Sequence, residues 1–116
     1  MRFRRFGKTE LRLSVFSLGM MRCLASAEIA QQTIERAIAL GINHIETALG
    51  YGNSELYLGA ALRRGVGVPR QQIYITTKMP PMPDAATMAL AIEQSLERLG
   101  LEYIDCLAIH GLNTWE

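Results

Sequence analysis

The chain has 116 residues, 49% of them hydrophobic and 20% charged, enough for one modest core and too apolar for a disordered segment. Twelve Lys and Arg against eleven Asp and Glu leave a formal net charge of +1, so no broad basic field exists for gripping nucleic acid. No apolar run approaches the roughly 18 residues of a bilayer span, and the N-terminus lacks the apolar stretch of a secretory signal. Cys23 and Cys106 stand alone, with no Cys-x-x-Cys pair and no histidine at metal-ligand spacing. The expectation is a soluble cytoplasmic protein with two free thiols, no metal, and neither nucleic acid nor membrane as partner.

The first predicted element is a hairpin: Arg2–Phe6, a turn at Gly7-Lys8-Thr9, then Leu11–Leu13. Arg2, Arg4 and Arg5 read as the solvated side of an edge strand. A short apolar strand, Val15–Leu18, runs into Gly19-Met20-Met21. Ser26 suits the N-cap of a helix over about Ala27–Leu40, with Glu28 in its first turn and Gly41 as its stop. Its apolar positions Ile29, Ile34, Ala37 and Ile38 share one side. The pattern then repeats. Ile42–Ile45 is a strand, and Asn53 or Ser54 caps a helix to about Arg64. Ile73–Thr77 is the next strand, ending in Lys78. The prolines of Met79-Pro80-Pro81-Met82-Pro83 lack amide donors and exclude helix or central strand. Asp84 caps a longer helix with an apolar stripe of Met88, Ile92, Leu96 and Leu99, closed by Gly100, and Tyr103–Ile109 is the last strand.

Strands alternating with helices imply a parallel sheet of βαβ units, and the uniformly apolar strands imply a sheet covered on both faces. A doubly wound open sheet and a (β/α)8 barrel both satisfy this. The glycine-rich dinucleotide fingerprint is absent after the first strand, where Gly19 is followed by Met20, Met21 and Arg22, so the barrel is favoured.

Four residues at predicted strand ends carry chemistry. Glu46, Lys78 and His110 are spaced 32 residues apart, and Tyr51 follows Glu46 by five. In a parallel barrel each would reach the C-terminal rim, where (β/α)8 active sites lie. A phenol ordinarily ionises near about pH 10, and a charged lysine beside it favours the phenolate. A carboxylate such as Glu46 keeps that lysine charged, and His110 can orient a carbonyl. The set fits proton delivery to a carbonyl oxygen.

These features, together with Ser17-Leu18-Gly19-Met20, Gly41-Ile42-Asn43-His44-Ile45, Tyr51-Gly52-Asn53-Ser54-Glu55, Leu58-Gly59, Ile75-Thr76-Thr77-Lys78, Ser95-Leu96-Glu97-Arg98-Leu99 and Asp105-Cys106-Leu107-Ala108-Ile109-His110, resemble the N-terminal part of an aldo-keto reductase. The resemblance implies a (β/α)8 TIM barrel whose floor is plugged by the N-terminal hairpin. It also implies NADPH (NADP+) as cofactor and a small aldehyde or ketone as substrate. It assigns the general acid to Tyr51, the supporting lysine to Lys78 and the substrate-orienting histidine to His110. The family's lysine-pairing aspartate falls on Glu46, one methylene longer; a subset of the family with additional iron-sulfur domains shares that glutamate. Gly19, Met20 and Met21, with Glu46, are implied to line the nicotinamide end of the cofactor, while the family holds the rest through loops after its seventh and eighth strands.

A (β/α)8 barrel takes about 250 residues. The expectation is therefore one partial domain over residues 1–116, a hairpin followed by four strands and three helices, truncated after the fourth strand. Its open sheet edges would favour self-association. Two readings stay open: the N-terminal part of a carbonyl reductase, or a catalytically inactive truncated barrel serving as an interaction or assembly module.

Overall fold

A computed structural model of the protein describes residues 1–23 and 25–113. Strands β1 (Phe3–Arg5) and β2 (Arg12–Ser14) pair antiparallel as a separate two-stranded sheet, with Arg4 opposite Leu13. The connecting loop is closed by the Phe6 amide donating to the Leu11 carbonyl at 2.8 Å. Asn43 ties this hairpin to the rest of the molecule. Its Oδ1 accepts from the Ser14 amide at 2.7 Å, and its Nδ2 donates to the Arg12 carbonyl at 2.9 Å. Because Asn43 immediately precedes a strand of the main sheet, the hairpin sits at the amino ends of that sheet's strands.

The main sheet contains β3 (Leu18–Gly19), β4 (His44–Glu46), β5 (Tyr74–Met79) and β6 (Cys106–Ile109), parallel and in chain order. Helices α1 (Ala27–Ala39), α2 (Ser54–Arg64) and α3 (Ala85–Leu99) connect them, with a short 3-10 turn at Arg70–Gln72. The Ser26 hydroxyl caps α1 by accepting from the Ile29 amide at 3.2 Å, and Asp84 caps α3 through the Thr87 amide at 2.7 Å. Gly100 ends α3 at φ 65°, a left-handed conformation that suits a residue without Cβ. Asn53 occupies the N-cap position of α2 without a side-chain bond, and the Ser54 hydroxyl turns inward instead.

Alternation divides the sheet into two faces. Ile45, Ile75 and Met79 are fully buried, and the core also includes Ala30 and Ile34 of α1, Leu58 and Ala61 of α2 and Leu99 of α3. Thr77 shares the helix-covered face, since its hydroxyl reaches Glu55 on α2. The opposite face carries His44, Glu46, Thr76 and Lys78. It is polar, so the expectation of uniformly apolar strands is corrected; among the described residues, the helices lie on the other face.

Other boundaries move for local reasons. The strand expected over Val15–Leu18 shrinks to Leu18–Gly19, because the Val15 amide donates to the Arg2 carbonyl and so extends the hairpin. The strand expected from Tyr103 begins at Cys106. Arg70 draws the Tyr103 carbonyl and the Asp105 carboxylate (2.7 Å) to itself, and the Asp105 side chain also accepts from the Ile75 amide. On α1, Ile29 is 51% exposed and the buried line is Ala30, Ile34 and Ala37. On α3, the buried line is Ala91, Ser95 and Leu99, with Met88, Ile92 and Leu96 half-buried beside it. Ala30, Ala37, Ala91 and Ser95 share these lines with Ile34 and Leu99, and such small residues let the helices approach closely. At Gly59 of α2, an added Cβ would lie 2.8 Å from the Leu99 carbonyl oxygen.

Candidate active site

The C-terminal ends of β4 and β5 are locked together beyond the regular strand. The Thr47 amide donates to the Thr76 carbonyl at 2.8 Å, and the Leu49 amide to the Lys78 carbonyl at 3.0 Å. After this extension the chain turns: the Tyr51 amide bonds the Ala48 carbonyl, and the Ser54 amide bonds the Tyr51 carbonyl. The buried hydroxyls of Thr47 and Ser54 lie 2.7 Å apart, and Ser54 also donates to the Met20 carbonyl at 3.2 Å. The segment carrying Tyr51 is thus pinned at both ends, to a strand and to the start of α2.

Lys78 is the centre of the site. Its side chain is 14% exposed. An ammonium has three protons to donate, and three acceptors surround this one: the Glu46 carboxylate, the Tyr51 phenolic oxygen at 3.2 Å and the Thr47 carbonyl at 3.3 Å. The nitrogen also stands 4.8 Å from the centroid of the Tyr51 ring. Burial alone would lower the lysine pKa; the Glu46 and Tyr51 hydrogen bonds outweigh it, and the pKa lies above its ordinary value. Lys78 is therefore held as a cation against the phenol oxygen.

His110 joins this group through its ring. It sits edge-to-face with Tyr51, with ring centroids 5.5 Å apart and planes at 87°. Its amide donates to the Met79 carbonyl at 2.8 Å, carrying the β5–β6 pairing one residue past the strand. Glu46, Tyr51, Lys78 and His110, singled out by spacing, thus converge at one rim.

The residues expected beside the cofactor divide. Gly19 pairs with Glu46 in the β3–β4 register, and a Cβ there would meet nothing within 4 Å, so open space adjoins the carboxylate. Met21 is 44% exposed. The Met20 side chain is fully buried in the hydrophobic core, and its carbonyl accepts from the Ser54 hydroxyl at the start of α2. The sequence reading missed the Thr47 carbonyl, which no side-chain pattern reveals. It also missed His44, whose two-residue offset from Glu46 was the available signal. Among the described residues, no group of three or more His, Cys, Asp or Glu could hold a metal ion, and no helix is long and apolar enough to cross a membrane.

The fold and rim define part of a (β/α)8 barrel with a Glu–Lys–Tyr–His cluster at its C-terminal end. A sequence profile of the Aldo/keto reductase family matches residues 17–115, and the chain belongs to that family. It is 40% identical over 113 residues to the 9,11-endoperoxide prostaglandin H2 reductase of Trypanosoma cruzi, covering 91% of this chain and 39% of that one. It is 40% identical over 82 residues to an aldo-keto reductase of Mycolicibacterium smegmatis, covering 70% of this chain and 28% of the relative. The holo form of aldo-keto reductase AKR11C1 from Bacillus halodurans superposes with a TM-score of 0.84 at 28% identity, covering 97% of this chain and 41% of that structure. The chain spans less than two fifths of the length of these two curated relatives.

Proposed function

We propose that residues 1–116 contribute one part of a single reductase domain that uses NADPH to reduce aldehyde or ketone carbonyls, with Tyr51 as general acid. The observation that carries this reading is the Lys78 ammonium donating to the Tyr51 phenolic oxygen at 3.2 Å. Because Lys78 donates to that oxygen, the phenol's own proton is free to point elsewhere, toward a substrate carbonyl. After transfer, the ammonium offsets the charge left on the phenolate. Glu46 keeps Lys78 charged, and the Thr47 carbonyl fixes where its third proton points. His110 packs against the phenol ring and orients the substrate oxygen.

The nicotinamide cofactor, when bound, supplies the hydride that adds to the carbonyl carbon. Gly19 and Met21 would line its nicotinamide end, with Glu46 accepting hydrogen bonds beside it. The side-chain-free backbone at Gly19, with open space next to a carboxylate, fits a flat ring bearing polar substituents. Among the described residues β3 and β6 each pair on one side only, and these edges are where further barrel strands or a second copy would add. The setting is cytoplasmic in this reading.

The test is NADPH oxidation by the intact protein against a panel of aldehydes and ketones, together with quenching of NADPH fluorescence on binding. Carbonyl-dependent oxidation is expected. Binding without turnover on any carbonyl would remove the assigned reaction and favour the interaction-module reading.

A further inference from the structure

One rung beneath the cluster, on the same polar face, a hydrogen-bonded chain runs from the residue before β3 across β4 to β5. The Ser17 hydroxyl lies 2.7 Å from His44 Nδ1, and His44 Nε2 lies 2.8 Å from the Thr76 hydroxyl. Thr76 is buried and His44 half-buried. A neutral imidazole donates through one ring nitrogen and accepts through the other, so both are satisfied by these hydroxyls. Burial holds His44 below the ordinary imidazole range, with Lys78 acting the same way and the Glu46 and Asp105 carboxylates pulling against it. The uncharged ring is the form the site holds at neutral pH.

The register gives this chain its meaning. His44 is paired opposite Tyr74 and Glu46 opposite Thr76. The His44–Thr76 link and the Glu46–Lys78 ion pair therefore make the same diagonal step, each from β4 to a residue two places further along β5. They are successive, parallel braces on one face. Backbone bonds set which residues are opposite; a side-chain brace sets how the face is pitched, and so where Lys78 points.

We propose that His44 is a positioning residue: its bond to Thr76 holds β5 so that Lys78 meets Glu46 and Tyr51 together. The role rests on the reductase reading for its consequence in turnover but not for its geometry. Asn at position 44 can reach only where Nδ1 was, toward Ser17. Gln can reach where Nε2 was, toward Thr76. Loss of the Thr76 brace should loosen the Glu46–Lys78 contact and leave burial of the lysine less opposed, raising the fraction of free amine.

The chain's two lysines, Lys8 in the exposed hairpin turn and Lys78, allow a measurement that needs no turnover. Competitive acetylation of the intact protein, read by peptide mass spectrometry, reports Lys78 reactivity against Lys8 as an internal reference. His44→Asn and Thr76→Val are expected to raise the Lys78/Lys8 ratio by about tenfold, the equivalent of one pKa unit. His44→Gln should label like the parent protein. Parent-like labelling of both His44→Asn and Thr76→Val overturns the proposal, and so does His44→Gln labelling as heavily as His44→Asn. Circular dichroism checks folding, and Thr76→Val, which keeps the side chain's shape, carries the test should His44→Asn unfold. In turnover, kcat should fall in His44→Asn and recover in His44→Gln while the KM for NADPH stays unchanged. If the parent protein reduces no carbonyl, the reductase reading fails while the labelling ratio still decides the role of His44.

Discussion

The Nζ of Lys78 stands 3.2 Å from the phenolic oxygen of Tyr51, and the Glu46 carboxylate engages the same nitrogen. A carboxylate at the end of β4 and a phenol from the turn that follows it are thus joined through a lysine that arrives on the neighbouring strand. The three are a unit: the carboxylate holds the charge, the ammonium transmits it, and the phenol uses it.

Tyr51→Phe removes the hydroxyl and keeps the ring that packs against His110. Turnover is expected to fall by about 10²–10⁴-fold, the usual contribution of a positioned general acid. NADPH affinity, read by fluorescence quenching, should be unchanged. Near-parental turnover would remove Tyr51 from the role.

Glu46→Gln keeps the shape and removes the charge facing Lys78. The lysine pKa is raised in the folded protein. A group with a raised folded pKa contributes stability that is fully present below its unfolded value and is lost as pH rises through the folded value. Without the carboxylate, burial pulls the lysine pKa down, so that contribution should disappear at lower pH. Thermal melts across about pH 8 to 11, the range around an ordinary lysine, should show the alkaline decline of the variant beginning earlier than in the parent. Glu46→Asp, which retains charge on a shorter arm, should keep the parental pH dependence. Identical curves for Glu46→Gln and parent would show that Glu46 does not hold the lysine charged.

Glu55 is 1% exposed and joins three elements: it accepts from the Thr77 hydroxyl at 2.7 Å, the Ser95 hydroxyl at 3.1 Å and Arg98 Nε at 2.8 Å. Glu55→Ala leaves Arg98 without its carboxylate and two buried hydroxyls without an acceptor. Breaking such a pair costs about 3–5 kcal/mol when fully buried, and Arg98 is 29% exposed, so the lower end is expected. Urea denaturation measures it; a loss below about 1 kcal/mol, the upper end for exposed pairs, would mean that the network adds little.

Gly59→Ala places a methyl group against the backbone carbonyls that end α3. Backbone cannot rotate aside as a side chain can, so α2 and α3 must separate. A destabilisation of about 1–3 kcal/mol is expected from overpacking, read as a lowered Tm. An unchanged Tm would show that the helices separate freely.

Much of this was written locally. Asp84, Ser26 and Gly100 announce helix ends because capping and left-handed backbone are properties of a few consecutive residues. The apolar runs around Ile45, Ile75 and Leu107 announce strands for the same reason. The spacing of Glu46, Lys78 and His110 announces a shared rim, since equal βα units return the chain to the same end of a parallel sheet. Tyr51 was legible through its offset from Glu46.

What tertiary structure decided is everything that depends on distance between segments remote in sequence. The Met20 side chain packs into the core, since only packing determines which way a side chain at a strand end turns. Ile29 reads as a core residue by periodicity, yet Ala30 takes the buried position, where a small side chain allows close helix approach. The Thr47 carbonyl that completes the Lys78 shell is backbone and leaves no mark in residue types. His44 has no role assigned from the sequence, and the sheet register sets it between Ser17 and Thr76. The sequence by itself determined the elements, their order and the chemical types at the rim, through local propensity and repeat length. Only the fold decided which of those groups touch, because hydrogen bonds act over about 3 Å and sequence spacing does not resolve that scale.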